Sequence, residues 1–436
     1  MNRHHHSSRT RWTFAPFAVW GLLGAAACSE LTALKQENPG QLSAATVYVP
    51  ANAQLLINGA IGDFECAFSR YTVGSGLLMD ELAVAISNTG DFDYDRRTLL
   101  TNAPYGTTAC PTTGAANMQF PGIYTPLSIA RASADTIAAK LEGWTDAQVT
   151  NRTKLIGQAY AYAGYSLVLL GEGMCSAAIN LSAEMTPAQL FAEAKTRFDK
   201  AIAAATTASD ATTLSLATMG RARTFQNLGS LASAAADAAK ITDNSYVANT
   251  TADATNGRRQ NGIYVTTVLN FYFTVDPSYR GLTVGGVADP RVAVVNSGKN
   301  GSSGAAVWQA SKALVATAPI ALTRWSEAQL IQAENFVATG NLSAAVAIIN
   351  ALHTKAALPA YDGTGQSAAQ LLTQLIDERR REFFLEGHRL GDIRRYSLTL
   401  SPASGSPFGN GGTYGSQSCF PLPDVERINN PNIGTP

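Results

Sequence analysis

Residues able to do chemistry are sparse in this chain, and the first are three alternating aspartates, Asp91, Asp93 and Asp95. They mimic the opening ligands of a helix-loop-helix calcium loop. Arg96 stands where the turn glycine belongs and Asn102 where the closing glutamate belongs, so that site is rejected and only an irregular calcium site on the aspartates stays open. Asp80-Glu81 offers a carboxylate pair, but neighbours on a helix point in different directions and cannot face each other across a glycosidic bond. A cap or ion-pair role at the end of an element over Tyr71 to Ile86 is expected instead. Beyond the N-terminal region only His353 and His388 remain, which leaves a serine or cysteine nucleophile few bases. No H-E-x-x-H, Walker or dinucleotide fingerprint occurs. A non-enzymatic protein without cofactor or metal is expected.

Binding chemistry is better represented. The apolar face of a sugar stacks on an aromatic ring while its hydroxyls need polar partners, so aromatics beside hydrogen-bonding groups are the pattern to seek. Tyr94 with Arg96 and Arg97, Tyr105, Tyr279 with Arg280, and Trp308 have that composition and lie in segments without helical period. Each ring taken alone is better explained by packing. As a set they are expected to supply one or two ligand contacts.

The elements that must position them are mostly helical. Apolar periodicity marks helix pairs at Phe120 to Leu141 with Thr153 to Leu170, at Ala188 to Ala205 with Leu216 to Leu228, and at Arg324 to Val337 with Leu342 to His353. Ser230 to Ile241 begins a further unit. Ala194, Phe198 and Ala201 show the small/large spacing by which tetratricopeptide helices nest. Between the helices, Gly90 to Gln119, Thr242 to Leu322 and Ser397 to Gln417 read as long excursions, and Ile263 to Val275 within them as a short strand or hairpin. The predicted class is mainly α with minor β: four tetratricopeptide-like helix pairs, at about 120–241 and 324–395, carrying irregular loops.

The N-terminus has basic residues, an apolar run from Phe14 to Ala27, and then Cys28. That is the layout of a signal peptide, and Gly24 to Ala27 before a cysteine resembles a lipobox, which makes Cys28 the expected lipid attachment site and 1–27 a removed leader. Ser29 lacks the aspartate of inner-membrane retention, so an outer-membrane location, facing outward, is expected. Without Arg3, Arg9 and Arg11, 29 basic residues face 32 acidic ones, a net charge of −3 that gives no footprint for nucleic acid. Cys66, Cys110, Cys175 and Cys419 remain, and in an exported protein they permit three pairings. The loop-rich stretch between the first two favours Cys66 with Cys110 and so Cys175 with Cys419; buried free thiols are the alternative.

The densest motif is Glu378 to Arg395, a charged helix with an apolar stripe. Glu378 over Glu382 and Glu382 over Glu386 are like-charge pairs that need partners from elsewhere. Arg324, Glu378, Arg380, Arg381, Glu386, Arg389 and Asp392 are therefore assigned to a structural ion-pair network, with Gly387 in the left-handed position that closes the helix.

This run resembles the C-terminal signature of the SusD/RagB family of nutrient-capturing surface lipoproteins. Arg324 to His353 looks like the family's last helix pair, Phe420 to Ile433 like its terminal segment, Asp289-Pro290-Arg291 like its internal "DPR", and Asp80-Glu81-Leu82 like its "DEL". Asn38-Pro39 and the helix through Ala53 to Phe64 resemble its opening. The resemblance implies a single SusD-like domain over 28–436 that binds an oligosaccharide, or a peptide, and delivers it to a TonB-dependent barrel transporter of the SusC type. A helical-repeat scaffold binding only proteins is the competing reading. The resemblance also draws the ligand-facing arc from the loop after "DEL" and from the segment between the third and fourth helix units.

Overall fold

The computed structural model describes residues 43–111, 118–242, 245–253 and 255–434. Cys28 and the expected leader lie outside the described residues. Two units divide the chain, Met1–Val49 and Pro50–Pro436. In the first, the described residues form one helical turn, Ala44–Val47, with the Ser43 hydroxyl accepting from the Thr46 N–H.

Besides short helical turns, the helices of the second unit include α1 (Ala53–Leu78), α2 (Tyr124–Gly143), α3 (Arg152–Gly173), α4 (Pro187–Thr207), α5 (Ala211–Asn227), α6 (Leu231–Ala238), α7 (Trp325–Ala338), α8 (Leu342–Lys355), α9 (Ala368–Glu382) and α10 (Arg389–Arg395). Side-chain capping sets several starts: Thr186 with Gln189 and Ser367 with Gln370 form reciprocal capping boxes before α4 and α9. Small residues then let the helices close on one another. Phe198 of α4 inserts between α3 and α5, where a Cβ at Gly164 would stand 2.7 Å from its ring and one at Gly220 2.3 Å. Among the described residues the third helix unit has no local second helix. Ala234, Ala238 and Ile241 instead join Met219, Ala222, Ala328 and Ile331 in one apolar cluster, so α6 packs on α5 and on α7 across the long excursion.

Apart from a two-residue hairpin, Thr283–Val284 with Val287–Ala288, the strands are β1 (Leu82–Val84), β2 (Ser245–Ala248), β3 (Phe273–Val275), β4 (Val294–Asn300), β5 (Ala306–Ala310) and β6 (Ile320–Arg324). They pair antiparallel as β1 with β3 (Leu82 opposite Val275), β2 with β6, and β4 with β5 (Asn296 opposite Trp308). Thr274 links two of these ladders, its hydroxyl accepting from Trp308 N–H at 2.8 Å and donating to the Ala306 carbonyl at 3.1 Å.

Two expectations change here. Tyr71 to Leu78 is the end of α1 rather than the start of a new element, and Asp80-Glu81 sits in the turn between α1 and β1. Of Ile263 to Val275 only the last three residues are strand. Asn261 Oδ1 accepts from the N–H groups of Ile263 and Tyr264 at 2.9 and 3.1 Å, and the Thr266 and Thr267 hydroxyls bond back to Gly262 and Ile263 carbonyls, so local caps coil this β-branched run into helical turns.

Disulfides join Cys66 to Cys110 and Cys175 to Cys419. The second holds the end of α3 against the C-terminal segment, where Cys175 N–H also donates to Phe420 O at 2.8 Å and Phe420 N–H to Gly173 O at 2.9 Å.

Candidate functional site

The charged signature folds as an internal lattice. Its helix ends at Glu382, five residues before Gly387, because Leu385 already turns left-handed (φ 52°) and donates its N–H to Glu81 Oε1 at 2.7 Å; Gly387 (φ 74°) completes the reversal into α10. Every assigned residue finds a counter-charge, mostly from distant sequence. Glu378 meets Arg291 at 2.7 Å and His353 at 2.9 Å, and Arg291 also clamps Asp289 at 2.8 Å. Glu386 joins Lys312 at 2.7 Å and Arg324 at 2.9 Å, Arg379 joins Asp392 at 2.9 Å, and Arg389 grips both oxygens of Asp80 at 2.7 Å. Arg381 reaches Asp377 at 2.7 Å and Asp289 at 3.3 Å. Arg380 stands on the rim, 3.8 Å from Asp377 and over the Tyr279 ring. Burial raises the Glu378 carboxyl, but His353 and Arg291 outweigh that and hold it below the usual range.

The DEL carboxylates serve this lattice too. Asp80 is spent on Arg389, while Glu81 is fully enclosed and burial pushes its carboxyl up to about 8 against the lowering bond from Leu385 N–H. The three aspartates diverge. Asp93 pairs with Arg96 at 2.7 Å, Asp95 accepts from Val84 N–H at 2.8 Å, and Asp91 turns to Gln119 at 3.2 Å, so they share no cation position. Among the described residues no group of three or more His, Cys, Asp and Glu side chains is arranged to hold a metal ion.

Three of the aromatic ligand candidates belong to the core. Tyr94, Tyr105 and Tyr279 are each 0% exposed. Tyr94 and Tyr105 donate to the carbonyls of Pro121 and Pro421 at 3.0 and 2.9 Å and pack against Phe420, whereas Tyr279 stacks on Phe384 at 4.6 Å. The C-terminal segment covers the first two and the reversal after α9 covers the third, so none presents a face to a ligand. Arg96 is engaged with Asp93. Trp308 alone keeps a partly exposed ring, with the Arg280 guanidinium 5.3 Å from its centre.

A different group comes together beside the sheet. Ser87, Asn88 and Thr89 after β1, Gln119, Tyr272 before β3 and Ser302 in the β4–β5 turn line a cleft of about 500 Å³. Three chain segments are stitched there. Ala85 N–H donates to Tyr272 O at 2.9 Å and Ser303 N–H to Ala85 O at 3.1 Å, while Ser87 exchanges two 3.1 Å bonds with Ser302. Among the described residues no charged side chain lines this cleft. Hydroxyl and carboxamide groups around one half-buried ring suit an uncharged ligand rich in hydrogen-bonding groups. Reading single rings missed it, although the polar run Ser87-Asn88-Thr89 shortly after Asp80-Glu81-Leu82 was a usable signal.

A larger cleft of about 640 Å³ lies among helix ends, lined by Phe191, Leu228, Leu231, Leu372 and Tyr396 with four charged residues. There Arg395 pairs with Glu334 at 2.5 Å, Glu172 is held by Arg223, and Arg394 is consumed by three carbonyls. Its polar groups serve the scaffold, which makes the smaller cleft the better site.

Residues 296–428 match the model of the SusD family. No curated protein matches the chain in sequence. Among solved structures, a SusD superfamily protein from Bacteroides vulgatus ATCC 8482 superposes with a TM-score of 0.66 at 15% identity, covering 88% of this chain and 98% of its own. A protein described as a putative sugar binding protein from the same organism gives 0.66 at 17%, with the same coverage of each chain. A laminarin binding SusD-like protein gives 0.61 at 14%, again over 88% and 98%. The fold is thus shared across nearly the whole of these chains, and residues 296–428, which hold the charged signature and its surroundings, match the SusD family.

Proposed function

We propose that this chain is a non-enzymatic, lipid-anchored protein of the outer membrane surface that captures oligosaccharides and delivers them to a TonB-dependent transporter of the SusC type. In this reading residues 1–27 are removed and 28–436 act as one domain attached through Cys28. The observation that carries the ligand class is the uncharged cleft of serine, asparagine, threonine and glutamine around Tyr272. Neutral sugars offer a stacking face and a ring of hydroxyls, the complement of that lining. A laminarin-binding structure of the same fold supports the choice and makes laminarin oligosaccharides the first ligand to test.

Tyr272→Ala should weaken binding of such an oligosaccharide about five- to tenfold, the worth of roughly 1 kcal/mol of stacking, and leave the melting temperature nearly unchanged. Trp308→Ala should act in the same direction if the ligand extends to the β5 face. Calorimetric titration with thermal melts separates the outcomes. A screen of oligosaccharides in which none binds, or a Tyr272 variant with wild-type affinity, removes this cleft from the function.

Delivery requires a partner, and among the described residues no helix is long and apolar enough to cross a membrane. A lid over a barrel needs a broad, stable contact able to survive mild detergent. Affinity purification from the native membrane should therefore recover one large barrel protein in near-equal amount, and repeated recovery of this chain alone would count against delivery.

A further inference from the structure

We propose, on the reading of the cleft as a glycan site, that Ser87 and Ser302 form a fixed acceptor and donor pair within it. The ligand must donate a hydroxyl proton to Ser87 and can accept one from Ser302. Gly301 is the positioning residue that makes the pair possible, because it lets the β4–β5 turn close on the end of β1.

That turn runs from Gly301 to Gly304 and is closed by Gly304 N–H donating to Gly301 O at 3.0 Å, while Gly301 N–H donates to Ala305 O at 2.9 Å. It docks on Ala85, just past β1, whose carbonyl accepts from Ser303 N–H at 3.1 Å. A Cβ on Gly301 would stand 1.9 Å from that carbonyl oxygen and 2.7 Å from its carbon. These are backbone atoms of a paired segment, with Ala85 N–H already held by Tyr272 O at 2.9 Å, so they have no room to yield. Gly298 and Gly304 of the same hairpin differ. Their φ values are 68° and 86°, and a Cβ on either would meet nothing within 4 Å, so they serve the local turn conformation and Gly301 serves the close approach.

The docked turn fixes the hydroxyl roles. Ser302 O is a carbonyl and only accepts, so Ser87 Oγ spends its single proton on it at 3.1 Å. Ser87 is left with lone pairs alone. Ser302 Oγ in turn accepts the Ser87 N–H at 3.1 Å, which leaves its own proton uncommitted. Asn88 follows the same rule: its Oδ1 takes the Gly90 N–H at 3.0 Å, and its NH₂ remains to donate. Ser87 and Ser302 are exposed, and all three residues line the cleft. A sugar hydroxyl donates and accepts at once, so neighbouring free hydroxyls of a glycan satisfy this array. An ether oxygen, a carboxylate or an ionised phosphate cannot donate to Ser87 and fails there.

Amide hydrogen exchange tests the docking without ligand. In Gly301→Ala the Ser87 and Ser303 N–H groups should exchange about tenfold faster than in wild type or more, while Trp308 N–H, held by Thr274, keeps its protection. Unchanged rates at Ser87 and Ser303 overturn the role of Gly301. Calorimetric titration with a laminarin trisaccharide and its monofluorinated analogues tests the pair, since fluorine matches a hydroxyl in size and cannot donate. With fluorine at one position, wild type should lose about fivefold in affinity, the scale of one neutral hydrogen bond. Ser87→Ala and Gly301→Ala should bind that analogue and the parent equally. A loss that persists in Ser87→Ala, or no loss at any position in wild type, overturns the pair while the glycan reading stands. Failure of wild type to bind the parent trisaccharide instead sinks the glycan reading, and the ligand role of the pair with it.

Discussion

Replacing both Cys175 and Cys419 with serine should lower the unfolding free energy by about 4 to 5 kcal/mol, the largest loss expected from removing either disulfide. The two residues are 244 positions apart, so the bond removes more chain entropy from the unfolded state than the Cys66–Cys110 bond, whose ends are 44 apart. The difference between the two is about 1.5 kcal/mol in the loop-entropy account. The native state gains as well, because the bond holds Phe420 where it packs against Tyr94 and Tyr105. Urea unfolding of the double variant, set beside wild type with and without reductant, measures the loss. A change below about 1 kcal/mol would show that the C-terminal segment is held by packing alone.

The Arg223→Ala variant should cost about 3 to 5 kcal/mol, because it strands two buried carboxylates at once. Arg223 is 2% exposed and binds Glu172 at 2.5 Å and 2.8 Å, with Glu327 at 3.9 Å and His388 Nε2 at 3.3 Å. Without it Glu172 keeps Asn227 at 2.7 Å and Glu327 keeps Thr323 at 2.6 Å, neutral partners that cannot replace a charge. Burial already raises Glu327 with the arginine present. In the variant the Glu327 carboxyl rises further above its unfolded value. Its share of the penalty is therefore greatest at high pH, shrinks as pH falls through the raised value and vanishes below the unfolded one. Denaturation at about pH 5 and about pH 8 should show the deficit narrowing on acidification, and a pH-independent deficit would assign it to lost packing. Arg380→Ala, at the partly buried rim of the signature, loses a bond to Ser278 O and a 3.8 Å pair with Asp377 and should cost less, about 1 to 2 kcal/mol.

The contrast between these two arginines marks how far the sequence could be read. Arg380 sits in a conspicuous charged run, whereas Arg223 stands in a helix whose one other charged residue is Arg221, and its importance comes from Glu172 and Glu327 on other helices. The like-charge spacing of Glu378, Glu382 and Glu386 demanded outside partners, and they exist. Arg324 belongs to the network assigned from sequence, whereas nothing local points to Arg291 and Lys312. Helices α2 to α5, α7 and α8 lie within a few residues of their apolar periodicity, because the burial of one face is written every three or four positions. Ile263 to Leu269 misled, since its β-branched residues are overruled by the Asn261 cap.

Sequence alone determined the helical class, the pairing of helices, the charged signature and its structural role, because each depends on patterns within one or two turns of chain. Tertiary structure decided which aromatics meet solvent. Tyr94, Tyr105 and Tyr279 sit in loop-like segments, and they are interior only because Phe420 and Phe384, hundreds or about a hundred residues later, close over them. The candidate cleft is likewise a product of distance in sequence: Ser87, Tyr272 and Ser302 become neighbours through strand pairing and backbone bonds. Exposure and convergence are sums over long-range contacts, and no local pattern encodes them.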